Sequence, residues 1–119
     1  MACILSVSYD ESLLKTRHMM LEQCGYRVVS ALGFTDAMKQ CSEGGPFDLF
    51  VLGHSIPLND KQALVKAFRS AYGSVVVALK RPGEDLASTG ADFQADPGDP
   101  AGLLRLIAKI VQARDSAVA

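Results

Sequence analysis

The stretch Asp48-Leu49-Phe50-Val51-Leu52-Gly53-His54-Ser55-Ile56-Pro57 decides how the rest of the chain is read. Four apolar residues run without a polar break, and the chain then turns through Gly, His, Ser and Pro. A short apolar run bounded by turn residues is what a strand buried on both faces looks like. Such a strand lies centrally in an open parallel sheet, and sites in those sheets form in the crevice beyond the strands' carboxyl ends. Gly53 and His54 are therefore expected at the working edge of the domain.

Upstream of that strand, Gly44-Gly45-Pro46 forces a turn. These glycines are not a phosphate loop, since they lack the spacing and the strand-then-helix context. A short helix over residues 35–42 carries Ala37, Met38 and Cys41 inward, and residues 26–30 read as a strand. Gly25 stands where a helix C′ glycine belongs. The helix before it places Leu13, Leu14, Met20, Leu21 and Cys24 on one face. Arg17 projects from the middle of that face, so its stem is expected to pack and its head to reach a carboxylate or carbonyl at the edge. Residues 3–7 read as the first strand, followed by a turn over residues 8–12.

Downstream, Asn59 or Asp60 is expected to cap a helix whose face is Leu64, Val65, Phe68, Ala71 and Tyr72. Residues 74–79 form a second continuous apolar strand, broken by Lys80-Arg81-Pro82-Gly83. A short helix over residues 84–88 and a weak strand over residues 90–95 follow. Asp99-Pro100 opens the last helix as cap and first residue, with Leu103, Leu104, Ile107, Ile110 and Val111 as its stripe. The expected domain covers residues 1–114, and residues 115–119 are expected to fray.

Strands alternate with helices five times, which predicts an α/β domain with a parallel sheet and right-handed crossovers. At 119 residues, 49% of them hydrophobic, the chain can bury one core. A net charge of −1 with scattered Lys and Arg gives no electrostatic case for nucleic acid. No apolar run approaches the roughly 20 residues of a membrane span, and no secretory signal is visible. Cys3, Cys24 and Cys41 are odd in number and lack metal-ligand spacing. They are expected to be reduced, mostly buried thiols of a cytoplasmic protein.

In this order, nearly the whole chain resembles the response-regulator receiver family. Residues 4–10 (Ile-Leu-Ser-Val-Ser-Tyr-Asp) resemble its first strand, which usually ends in acids. Residues 22–28 (Glu-Gln-Cys-Gly-Tyr-Arg-Val) resemble its first helix end entering the second strand. Asp48 to Leu52 followed by Ile56-Pro57 resembles the phosphoacceptor strand and its Met-Pro turn, and Gly90-Ala91-Asp92 resembles the approach to the fifth strand. The resemblance implies a doubly wound, flavodoxin-like, five-stranded sheet of order 2-1-3-4-5. The spacing from Lys80 to Gly90 shortens the fourth helix by roughly one turn.

The resemblance also implies phosphoryl transfer from a histidine kinase to an aspartate, assisted by Mg²⁺. That chemistry needs a carboxylate nucleophile and hard oxygen ligands. Here Gly53 stands at the phosphoacceptor position. Ser8 and Tyr9 stand where the family usually has acids, leaving Asp10. Lys80 takes the place of the hydroxyl residue, and Asp96 that of the lysine. Glycine is no nucleophile, so neither catalytic residues nor a metal or other cofactor is expected.

Lys80, Asp10 and Asp96 are expected to meet at the carboxyl edge in a salt bridge, with a polar ligand pocket as the alternative. His54 is expected as a partly exposed turn residue. The expected function is that of a pseudo-receiver in two-component signalling. It would bind a histidine kinase or output protein, or a second copy of itself, and would not act as an enzyme. The alternative is a sensor of a small ligand or nucleotide in the altered pocket.

Overall fold

The structure is a computed structural model and describes residues 2–118. Five strands alternate with five helices: β1 (Cys3–Ser8), α1 (Glu11–Gln23), β2 (Arg27–Leu32), α2 (Phe34–Glu43), β3 (Leu49–Leu52), α3 (Leu58–Tyr72), β4 (Val75–Leu79), α4 (Leu86–Thr89), β5 (Phe93–Ala95) and α5 (Pro100–Val118). All neighbouring strands are parallel, in the order β2-β1-β3-β4-β5. This is the doubly wound sheet that the alternation and the resemblance predict.

Strand β3 is central and buried along its whole length. Successive side chains point to opposite faces, so the run divides between two cores. Phe50 and Leu52 join Leu5, Val7, Leu64 and Phe68, with the Phe50 and Phe68 rings stacked at 4.1 Å. Leu49 and Val51 join Ile4, Leu21, Leu103, Ile107 and Ile110 on the other face. The continuous apolar character of β3 thus follows from having helices on both sides.

Several boundaries and faces differ from the sequence reading. Helix α3 begins at Leu58 behind Pro57, with no side-chain cap, so Asn59 and Asp60 lie inside its first turn. Pro57 already supplies the fixed φ that suits a helix entry. The inward residues of α1 are Leu14, Arg17 and Leu21, whereas Leu13 and Cys24 are exposed. Met38 of α2 is also exposed, and of the three free thiols Cys41 alone is buried. The final helix runs from Pro100 through Val118. The Arg114 guanidinium reaches the Asp48 carbonyl, and its other terminal nitrogen lies 3.3 Å from the Asp48 carboxylate. Ala119 lies outside the described residues.

Helix α4 is one turn long, as the short spacing requires. Asp85 and Ser88 form its capping box, and Gly90 closes it in the left-handed region at φ 78°.

Candidate functional site

The carboxyl ends of β1 and β3 lie side by side, with Val7 opposite Leu52. Just beyond them the Gly53 N–H donates to the Val7 carbonyl at 2.8 Å. The loop carrying His54 and Ser55 then folds over the end of β1. Ser8 Oγ and Ser55 Oγ lie 3.2 Å apart, and the Tyr9 N–H donates to Ser55 Oγ at 3.0 Å. The Tyr9 hydroxyl donates to the Asp60 carboxylate at 2.7 Å. Burial first, and then the bond to Asp60, pushes the Tyr9 hydroxyl's pKa up. Ser8 and Tyr9, standing where the resembled family usually has acids, therefore tie the loop after β3 and the start of α3 to β1.

Asp10, the remaining acid, is exposed and serves α1 as its N-cap, accepting from the Leu13 N–H at 3.1 Å. Asp96 is exposed and accepts from the Gly98 N–H at 2.8 Å. Lys80 is exposed just past the end of β4 and has no ion pair among the described residues. The expected Lys80 salt bridge with Asp10 or Asp96 is thus absent. A side chain beyond the last paired residue of a strand is no longer aimed by the pleat, and solvation holds it outside. Lys80→Met is accordingly expected to change stability by less than about 0.5 kcal/mol. Urea melts check this, and a loss above about 1 kcal/mol would reveal a partner for Lys80.

Two other cations occupy the interior. The Lys61 side chain is wholly buried, and its Nζ donates to Glu84 Oε1 at 2.6 Å and to the Leu79 carbonyl at 2.8 Å. Glu84 is buried as well and also accepts from the Arg81 N–H at 3.2 Å. This pair staples α3 to the end of β4 and the turn before α4. Sequence reasoning missed it, although Lys61 extends the Leu64, Val65, Phe68 stripe backwards at helical spacing. No periodic signal marks Glu84.

The second cation is Arg17, 8% exposed. Its Nη1 donates to Ser6 Oγ at 3.1 Å and to the Val7 carbonyl at 3.3 Å. No carboxylate lies within ion-pair distance of it among the described residues. The head reaches a carbonyl at the carboxyl edge of the sheet, as the sequence suggested, while the side chain stays largely buried. Burial lowers the Arg17 pKa to about 10. A Cβ built on Gly53 would stand 3.1 Å from Arg17 Nη2 and 3.1 Å from the Val7 carbonyl oxygen. Glycine at position 53 and the inward arginine therefore fit each other sterically.

Arg17, His54 and Asp96 all line one cavity of about 100 Å³ between α1, the end of β4 and the start of α5. His54 is partly exposed there, as expected for a turn residue. The structure thus divides the seven residues singled out from sequence. Ser8 and Tyr9 join a structural network, Asp10 caps, and Gly53 abuts Arg17. His54 and Asp96 share the cavity, while Lys80 stands apart.

The Mg²⁺ that the resemblance implies does not fit these residues. Asp10 is engaged as a helix cap, and a guanidinium borders the Gly53 position. Among the described residues no three His, Cys, Asp or Glu side chains gather to hold a metal. No described helix is long and apolar enough to cross a membrane.

No protein-family model matches this chain, and no curated protein matches it by sequence. Solved structures do. A response regulator receiver protein from Sinorhizobium medicae superposes with a TM-score of 0.80 at 20% identity, covering 95% of this chain and 96% of that one. The chemotaxis response regulator CheY4 of Vibrio cholerae gives 0.78 at 24% identity, covering 92% and 98%. TrrA of Thermotoga maritima, a response regulator solved in complex with Mg(2+)-BeF, gives 0.73 at 21% identity, covering 92% and 99%. The chain therefore has the fold of the response regulator receiver proteins, a five-stranded parallel sheet of order 2-1-3-4-5 flanked by helices.

Proposed function

We propose that this domain is a receiver-like module of two-component signalling that works by binding another protein and does not accept phosphate. The observation that carries this reading is Gly53 abutting the Arg17 guanidinium at the end of the central strand. A nucleophile is missing where the fold's phosphoacceptor would stand, and a protein cation replaces the metal there. Aspartyl phosphate formation at that edge has neither its attacking carboxylate nor its Mg²⁺ ligands.

Partner binding in signalling is supported by the shared fold. TrrA, a neighbour in fold, was solved in complex with the histidine kinase ThkA. For this chain the partner is a histidine kinase, an output protein or a second copy of the chain, in the cytoplasm. No enzymatic step is assigned.

Incubation with acetyl phosphate and Mg²⁺ is expected to leave the intact mass unchanged. A phosphoryl adduct lost on mild alkali and mapped to Asp10 or Asp48 would overturn the reading. The affinity for a kinase or output partner is likewise expected to be the same with and without the phosphodonor.

A further inference from the structure

We propose that the cavity beside Arg17 is a binding site for a small organic monocarboxylate, with the carboxylate on the Arg17 guanidinium and an apolar body among the surrounding side chains. The cavity lies between α1, the end of β4 and the loop entering α5. Its apolar lining includes Leu13, Met20, Leu79, Pro97, Leu103 and Leu104, and Arg17 supplies the buried cation.

The guanidinium carries five donors in a planar fork. Both of its hydrogen bonds to described residues are made by Nη1, to Ser6 Oγ and the Val7 carbonyl. Neither Nε nor Nη2 has an acceptor among the described residues. Yet no fully buried side-chain nitrogen or oxygen lacks a partner among them. The unengaged donors are therefore not sealed off completely, and Arg17 lines the cavity. A planar, bidentate acceptor with one negative charge matches what the fork offers, and a carboxylate is such a group.

The rest of the ligand follows from volume and lining. A dry cavity of about 150 Å³ accommodates benzene, so one of about 100 Å³ suits a hydrocarbon body of roughly four or five carbons. Phosphate and sulfate offer charge but nothing to bury against the leucines. Asp96 at the rim adds a negative charge that disfavours di- and trianions, while His54 adds a polar group on the same wall. A single charge with a short apolar tail satisfies all of these features. This site stands on the cavity and Arg17 alone, so it holds or fails independently of the signalling assignment.

Titration of the whole chain with sodium pentanoate at constant ionic strength, followed by amide and side-chain NMR shifts, tests the proposal. Saturable shifts are expected at residues of α1, Leu79 and Leu103. Pentanol, which lacks the charge, and inorganic phosphate, which lacks the tail, should each bind at least tenfold more weakly. Arg17→Met should weaken pentanoate by at least tenfold. Met20→Trp, which fills the cavity and leaves the cation in place, should do the same. No saturable shift up to about 50 mM pentanoate would overturn the site, since that is weaker than any useful pocket of this size. Equal affinity in Arg17→Met would overturn the role of the cation, and equal affinity for phosphate would overturn the role of the tail.

Discussion

Lys61→Met is expected to destabilise the fold by about 3–5 kcal/mol. The lysine side chain is wholly buried and its carboxylate partner is 7% exposed. Taking two charges out of water is costly, and the 2.6 Å contact with Glu84 together with the 2.8 Å bond to the Leu79 carbonyl offsets that cost. Removing the ammonium leaves Glu84 as a buried anion with only the Arg81 N–H at 3.2 Å, and it strips the Leu79 carbonyl of its donor. Glu84→Leu is expected to be harmful for the converse reason, since it leaves the cation buried without a counter-charge. The double variant Lys61→Met with Glu84→Leu removes both charges and should recover most of the loss. Urea melts of the four proteins measure the coupling. A single-variant loss under about 1 kcal/mol would mean that water reaches the pair and screens it.

Arg17→Met is expected to act in the opposite direction, raising stability by about 1–3 kcal/mol. Burial lowers the arginine pKa to about 10, and each pKa unit corresponds to about 1.36 kcal/mol. The sign follows from linkage. For a base whose folded pKa lies below its unfolded value, the unfolded state binds more protons between the two values. The penalty for burying the charge is therefore fully present below about pH 10 and fades as pH rises above it. Methionine of similar length removes the charge and keeps an apolar stem on the buried face that Arg17 shares with Leu14 and Leu21. The bonds to Ser6 and the Val7 carbonyl are lost in exchange, but that carbonyl keeps the Gly53 N–H. This loss holds the net gain below the full pKa figure. A higher urea midpoint at unchanged slope is the expected result. A lower midpoint would mean that the two guanidinium bonds outweigh the buried charge.

What the sequence made legible followed from how strongly each local pattern constrains the backbone. The run from Leu49 to Leu52 allowed one reading, because four apolar residues between turn formers suit a strand covered on both sides. Asp99 before Pro100 marked the start of α5 equally well, and the Asp99 carboxylate accepts from the Gly102 N–H at 2.9 Å. The altered pocket was legible in composition but not in arrangement. Lys80 and Asp96 sit on loops past the strand ends, where no period fixes direction, and they turn to solvent instead of to each other. Arg17 was visible as an interruption of an apolar face. That it would meet Gly53 depended on the packing of α1 against the sheet, a distance between segments far apart in sequence. Lys61 was hidden for a different reason. A lysine among exposed neighbours reads as surface until a buried carboxylate from another loop is found opposite it.

The Lys61–Glu84 staple also bears on motion. A domain that switches needs an element with two packings close in free energy. Here the turn between β4 and α4 is held by a buried ion pair, and Gln94 adds a side-chain bond to the Glu84 carbonyl at 3.3 Å. If releasing the pair costs about 3 kcal/mol or more, the alternative arrangement is populated below about one molecule in a hundred. That edge of the sheet then presents one fixed shape, and under the proposed binding role it would offer a constant template rather than a changing signal.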